Sequence, residues 1–309
     1  MTEAKISPRI DLRQWRQFLA VAEELHFGRA ALRLHMTQPP LTQSIAGLEA
    51  AVGERLFDRT KRSVRLTPAG AALVDPAREL LARAQALPAL ARAASAGEIG
   101  TLRLAFVSTV GFALLPQWVR GFGEQAPGVR LELIEATGDA QLVALARGEI
   151  DAGVLLHAPG FAPAGLSHLR IADEALVLAL PQPHALAAAQ SLRLAQALAE
   201  PLVMFPRRIL PSLHDALFSL YHAHGQSPQV AQEAIQMQTI VNLVSAGLGL
   251  AWVPDSVRQF QRSGVIYRQL DSADARVMPR CETSLVWARS AMTPALGRFV
   301  DFLQSWQGV

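Results

Sequence analysis

The sequence predicts an α/β chain in three parts: an N-terminal winged helix-turn-helix, a linking helix, and a two-lobed α/β region. Three observations predict it. Two short helical segments meet at a tight break within residues 28–47 and lead into a cation-rich run; leucine and alanine alternate in heptads from Leu73; and from Thr101 short β-rich runs alternate with helical stretches. A chain of 309 residues is long enough for two or three domains with ample core. Half of it is apolar and only 6% aromatic, a globular composition. No apolar run reaches the roughly 18 residues a membrane span needs. The start, Met1-Thr2-Glu3-Ala4-Lys5-Ile6, lacks a signal-peptide core. No membrane is expected, and the cytoplasm is the expected compartment. The single cysteine, Cys281, excludes an internal disulfide and reads as core packing.

Residues 1–10 read as a disordered lead. Leu12, Trp15, Leu19, Ala22 and Leu25 then recur every three or four positions, giving a first helix with an apolar stripe. Residues 28–34 form a second helical segment that breaks at His35-Met36. Thr37 is placed as the N-cap of a third, its hydroxyl accepting from a first-turn amide, with Pro39 and Pro40 tolerated in that turn. Leu41, Ile45 and Leu48 share one face of it. The opposite face offers Gln38, Thr42, Gln43 and Ala46, small or hydrogen-bonding groups suited either to base edges in a major groove or to plain solvent. Arg59 to Arg65 holds four cations and no acid, a basic β-hairpin wing. The candidate contacts with double-stranded DNA are therefore Gln38, Pro39, Pro40, Thr42 and Gln43 at bases, with Arg59, Lys61 and Arg62 at phosphates. Charge supports this. Residues 1–66 carry eleven Lys or Arg against seven Asp or Glu, and residues 67–309 carry eighteen against nineteen, so the whole net charge of +3 comes from the first fifth of the chain.

Thr67 followed by Pro68 is a strong start signal for a helix running to about Ser95. Within it Leu73, Leu80 and Leu87 fall seven apart, with Ala77, Ala84 and Ala91 between them, either a seam on which two copies of the helix would pair closely or the stripe of a lone amphipathic helix packed on its own domain. Leu73, Ala77, Leu80, Ala84 and Leu87 are the candidate dimerisation residues. Pro76 and Pro88 interrupt the pattern, and each interior proline costs about 3 kcal/mol unless the helix kinks. Kinks or a broken linker are expected.

Thr101–Val107, a helix from about Phe112, Val129–Ala136, a helix from Ala140 and Ala152–Leu156 make a βαβαβ series, which implies a parallel sheet with helices on both faces. A second series uses Ala175–Leu180, Leu202–Phe205, a helix after Pro211, Gln229–Glu233, a helix around Thr239–Ala246, and Leu250–Val253. A strand near Ser284–Trp287 and a helix near Ala295–Trp306 return to the first lobe. In open parallel sheets ligands sit beyond the carboxyl ends of the strands. Those ends carry Ser108, Thr109 and Thr137 in one lobe and Arg207, Arg208, Pro211, Ser212 and Leu213 in the other. Hydroxyls and free amides at helix starts make an anion site, and an arginine pair adds bidentate donors for a carboxylate. The alternative for each hydroxyl is that it merely caps its own helix, and for Arg207 or Arg208 that it forms an ordinary surface ion pair.

The motifs of a familiar family run through this framework. They are Asp11-Leu12-Arg13-Gln14-Trp15 through Ala20-Val21-Ala22-Glu23-Glu24, Arg29-Ala30-Ala31, Thr37-Gln38-Pro39-Pro40-Leu41-Thr42-Gln43, Leu48-Glu49, Gly53, Leu56-Phe57-Asp58-Arg59 and Leu66-Thr67-Pro68-Ala69-Gly70. The chain thereby resembles the LysR-type transcriptional regulators. Gln236-Met237-Gln238, Ala246-Gly247-Leu248-Gly249 and Val253-Pro254 extend the resemblance down the chain, and within the family it looks closest to regulators of aromatic-compound catabolism. One departure is Gln43, where many members carry arginine. The resemblance implies a winged DNA-binding domain over 11–68, a linker and dimerisation helix over 69–97, and an effector-binding domain over 98–309, built like a periplasmic solute-binding protein. Lobe I would hold 98–170 and 272–309, lobe II 171–271. It further implies a small-molecule effector between the lobes, a carboxylate or aromatic acid; self-association as a homodimer or homotetramer; and RNA polymerase as a partner. No cofactor is expected.

An enzyme is the main rival class. No Gly-x-Ser-x-Gly elbow, Walker loop or Gly-x-Gly-x-x-Gly is present, and Gly247-Leu248-Gly249 reads as a tight turn into a strand. His214, His222 and His224 do not share a helical face, so no metal site is expected. A solute-binding module without DNA is the third class, and the basic first fifth argues against it.

Overall fold

The computed structural model describes residues 10–60 and 63–306. The expectation for the first nine residues therefore lies outside the described residues. The chain separates into two compact units, Met1–Arg92 and Ala93–Val309.

In the first unit α1 (Leu12–Glu24) starts at a capping box: the Asp11 carboxylate accepts from the Gln14 amide while the Gln14 side chain accepts from the Asp11 amide. Helix α2 (Phe27–Arg33) follows, then a turn in which His35 takes a left-handed conformation (φ 52°). Helix α3 (Gln38–Val52) ends on Gly53. Strands β1 (Phe57–Arg59) and β2 (Val64–Leu66) pair antiparallel as the wing. Helix α4 (Pro68–Ser95) completes the unit. Its start is held by Thr67, whose hydroxyl accepts from the Gly70 amide and donates to the Arg55 carbonyl. Phe18, Leu41, Ile45, Leu48, Leu56 and Phe57 are fully buried at the centre, and Ala77 and Leu81 of α4 close the core. Gly70 is required by this closure, because a Cβ there would run into the Leu56 carbonyl.

Sequence predicts kinks or a broken linker, and the helix is not broken: it runs from Pro68 to Ser95 across both Pro76 and Pro88. Both prolines are exposed, so the carbonyl each leaves unbonded one turn earlier can be reached by solvent.

The second unit opens with β3 (Gly100–Phe106), α5 (Ser108–Gln125), β4 (Val129–Glu135), α6 (Gly138–Ala146) and β5 (Ala152–His157). Strand β6 (Leu166–Pro181) is followed by α7 (Leu194–Leu198), β7 (Leu202–Met204), α8 (Pro211–Ala223), β8 (Val230–Glu233), α9 (Met237–Ser245), β9 (Ala251–Pro254) and β10 (Val265–Arg268). The short α10 (Ser272–Ala275) leads into β11 (Arg280–Ala288) and α11 (Pro294–Ser305). The large sheet has the order β10-β6-β11-β5-β3-β4, with β9 also on β6. Strand β3 is parallel to β4 and β5, whereas β11 is antiparallel to β5 and β6, and β6 is antiparallel to β9 and β10. The parallel sheet expected from the βαβαβ series is thus only its β3, β4 and β5 part. The return of β11 and the length of β6 make the whole sheet mixed. Strands β7 and β8 form a separate parallel pair.

Two cores define the lobes. Leu102, Leu104, Trp118, Phe122 and Phe299 lie in one, to which α11 returns as predicted. The other holds Val177, Leu217, Tyr221, Val241 and Val253. Cys281 is fully buried in this second core and burial pushes its thiol well up, so it packs rather than reacts. Among the described residues no helix is long and apolar enough to cross a membrane.

Candidate nucleic-acid interface and ligand cleft

Helix α3 turns Leu41, Ile45 and Leu48 inward and exposes Gln38, Pro39, Pro40, Gln43 and Ala46, with Thr42 half-buried among them. Gln38, Pro39, Thr42, Gln43 and Ala46 line one shallow hollow, so these predicted base-reading residues do form one surface. Thr42 gives its hydroxyl to the Gln38 carbonyl at 3.1 Å. Thr37 sits at the N-cap as expected, but its hydroxyl makes no capping bond. The reason is chemical: the amides a cap would accept from are those two and three residues on, and these are Pro39 and Pro40, which have none.

The wing is held by one carboxylate. Glu49 Oε1 accepts from the Leu56 and Phe57 amides at 2.9 and 3.2 Å, and Oε2 from Arg59 Nη2 at 2.7 Å. Arg59 also lies over the Phe27 ring, 4.8 Å from its centroid. The predicted phosphate contact Arg59 is therefore engaged within its own unit. Lys61 and Arg62 lie outside the described residues. Sequence reasoning missed His26, which caps α2 by accepting from the Arg29 amide at 3.2 Å and lines a hollow with Gln38, Thr42 and Arg59. Histidine is not among the residue types that signal a cap.

The proposed seam divides. Leu73 packs against the core of the first unit and Ala77 is 3% exposed within it, whereas Leu80 and Leu87 stand 43% and 60% exposed, with Ala84 half-buried beside them. Leu90, absent from the heptad count, is exposed too.

In the second unit Ser108, Thr109 and Thr137 come together as predicted. They line a hollow of about 50 Å³ with Gly138, Leu156, Phe205, Ile209 and Gln236. The starts of α5, α6 and α9 meet here, and the last was not foreseen. Thr137 makes no side-chain cap bond, and Thr109 Oγ1 is buried with no hydrogen-bond partner among the described residues. A buried hydroxyl without a partner is expensive, on the order of 1–3 kcal/mol, so such groups are normally satisfied by something.

A second hollow of about 410 Å³ shares Gly138, Leu156, Ile209 and Leu210 with the first. It is lined by Arg208, Pro211 and Ser212 and by His157, Phe161 and Asp215. The Arg208 side chain has no partner among the described residues. Ser212 accepts from the Ala158 amide at 3.0 Å and so joins the two lobes. Two predicted residues do not take part. Leu213 is 1% exposed in the lobe core, because α8 turns it inward. Arg207 lines neither hollow and grips Asp215 with Nε and Nη2, both at 2.7 Å. His157, which sequence gave no reason to choose, is buried between the Ala158 carbonyl (2.8 Å) and Ser284 Oγ (3.0 Å). His214 stacks on Phe218 at 4.2 Å and His224 bonds the Leu220 carbonyl. Among the described residues no group of three His, Cys, Asp or Glu is placed to hold a metal ion.

Comparison with known proteins covers nearly the whole chain. Residues 12–71 match the family model of bacterial regulatory helix-turn-helix proteins of the lysR family, and residues 95–308 match the LysR substrate binding domain. The chain is 47% identical over 288 residues to the HTH-type transcriptional regulator IlvR of Caulobacter vibrioides, covering 93% of this chain and 95% of that one. It is 35% identical to the regulator AlsR of Bacillus subtilis, covering 94% of each. Among solved structures, CbnR, a LysR family transcriptional regulator, superposes with a TM-score of 0.75 at 30% identity, covering 95% of this chain and all of that one. Full-length CbnR complexed with its target DNA gives 0.78 at 29%, covering 96% and 99%.

The Arg207 bond holds the Asp215 carboxyl down to about 2, with a smaller pull from His214. A depressed carboxyl stabilises the fold above its unfolded pKa, and that stabilisation is lost as pH falls toward 2. In Arg207→Gln the Asp215 carboxyl, followed by carbon NMR, is expected to titrate higher, in the ordinary carboxylate range. An Asp215 still titrating near 2 would assign the depression elsewhere.

Proposed function

The chain belongs to the LysR family of bacterial regulators, a DNA-binding transcriptional regulator with an effector-binding domain and not an enzyme, and from that premise we propose how its parts act. Helix α3 enters the major groove and reads bases with Gln38, Pro39, Pro40, Thr42 and Gln43. Lys61 and Arg62 take phosphates, while Arg59, gripped by Glu49, braces the wing beside them. The exposed Leu80, Ala84 and Leu87 of α4 pair with a second copy, giving a homodimer and, from dimers, a homotetramer. The protein works in the cytoplasm and passes its signal to RNA polymerase.

The signal is a small carboxylate, an aromatic acid or a close relative, bound in the cleft. The observation that carries this is the Thr109 hydroxyl, buried and without a partner among the described residues where the starts of α5, α6 and α9 meet. Amides and positive dipole ends there suit an anion, and Arg208 at the neighbouring hollow adds a guanidinium. A ligand touching both lobes favours one of their arrangements, and acts only through its different affinity for the two.

Three measurements test these roles. In gel-shift titrations Arg62→Ala is expected to weaken binding to all sequences alike and flatten the salt slope by about one unit, whereas Gln43→Ala relaxes preference at one base position; indistinguishable effects would end the division of labour. Leu80→Asp sets an unpaired carboxylate in the seam and is expected to sediment as a smaller species than wild type; wild type sedimenting as a monomer would remove the seam. Thr109→Val keeps shape but deletes the hydroxyl. Calorimetry with a panel of aromatic and dicarboxylic acids is expected to show a loss on the order of 1 kcal/mol of affinity, with thermal stability unchanged or raised because an unsatisfied group has gone. Equal affinity in the two proteins places the effector elsewhere.

A further inference from the structure

A third hollow in the second unit, of about 480 Å³, belongs to neither face described above. It lies where the lobes are joined. Strand β6 keeps β11 as partner as far as Ala175, opposite Arg280, and from Leu176 it pairs with β9, opposite Pro254. Ala175 and Leu176 both line the hollow, as do Met278, Pro279 and Arg280, over which the chain runs from α10 into β11. One cavity thus touches β6 where it changes partner from β11 to β9, and the chain where it enters β11.

Its chemistry is that of a site for an organic anion. Leu176, Leu270 and Met278 give an apolar, buried floor. Arg276 and Arg280 stand at the rim. The Arg276 side chain has no hydrogen-bond or ion-pair partner among the described residues, and Arg280 gives Nε to the Asp173 carboxylate (2.7 Å) and Nη2 to the Asp173 backbone carbonyl (2.9 Å), leaving Nη1. The nearby acids are occupied: Asp173 by Arg280, Asp271 by the Leu192 amide, and Asp274 by the Leu194 amide and Arg193. Those two amide bonds also tie down the ends of α10, so the wall carrying Arg276 is anchored. We propose that this hollow is a second ligand site, binding a small carboxylate whose charge is met by Arg276 and Arg280 and whose apolar body covers Leu176, Leu270 and Met278. A ligand there bears on both connections, so its affinity depends on the lobe arrangement, and by linkage it alters affinity at the cleft and is altered by it. The site stands independently of the cleft reading.

The test uses the full chain and fluorine NMR with 4-fluorobenzoate, 4-fluorophenylacetate and the uncharged 4-fluorobenzamide, up to about 10 mM to register a millimolar site. At least one acid is expected to bind wild type and Thr109→Val, to lose about tenfold in affinity in Arg276→Gln, and to recover in part in Arg276→Lys, with the amide not competing. Arg276 is exposed on a four-residue helix, and matching circular dichroism melts check that the variants stay folded. The proposal is overturned if neither acid depends on Arg276, or if the amide binds as well as the acid. Binding lost in Thr109→Val but kept in Arg276→Gln overturns it while leaving the cleft reading intact.

Discussion

Parallel pairing of β3 with β4 and β5 is the constraint from which the effector-binding unit follows. The ladder is in unbroken register from Gly100↔Val129 to Phe106↔Glu135, and each strand must be reached by a crossover. Helices α5 and α6 therefore both start at one edge, and Ser108, Thr109, Thr137 and Gly138 arrive together without any bond between their side chains. Buried Gln141 locks this edge, giving its amide to the Ala136 and Val154 carbonyls. It fits only because position 153 is glycine: a Cβ there would stand 2.6 Å from the Gln141 oxygen. The cleft inherits its donors from topology, and two buried oxygens at this edge, Thr109 Oγ1 and Gln141 Oε1, have no hydrogen-bond partner among the described residues.

The DNA-binding unit depends in a similar way on one residue. Glu49 is buried enough to matter and satisfies two wing amides and a guanidinium at once. It ties α3 to the start of the wing through three bonds from one side chain. The absent Thr37 cap shows the opposite economy. Proline at both cap-acceptor positions leaves fewer unpaired amides at the start of α3, and with them the need for a capping hydroxyl disappears.

Much of this was legible in the sequence because the signals are local. The helix start at Thr67, the apolar stripes of α1 and α3, the wing and the strand ends carrying Ser108 and Thr137 all rest on neighbours within a few residues. What stayed hidden needs partners far apart in the chain. Phe205, Ile209 and Gln236 reach the cleft only because the second lobe folds over the first, and Arg207 was lost to Asp215, eight residues on, through the geometry of α8. Periodicity gave Leu73 and Ala77 the same role as Leu80 and Leu87, since a heptad count cannot tell a stripe packed on its own domain from one facing outward. The two long strands were read short because β6 changes partners midway, and its first half has mixed exposure with no clean alternation.

Strand β6 runs sixteen residues through the large sheet, pairing first with β11 and then with β9 and β10. Sliding one lobe along the other would strip ladder hydrogen bonds from β9, β10 or β11, whereas winding the strand more or less tightly about its own axis breaks none. A change of lobe arrangement that kept these ladders intact would therefore be torsional, the winding of a ribbon rather than the closing of jaws.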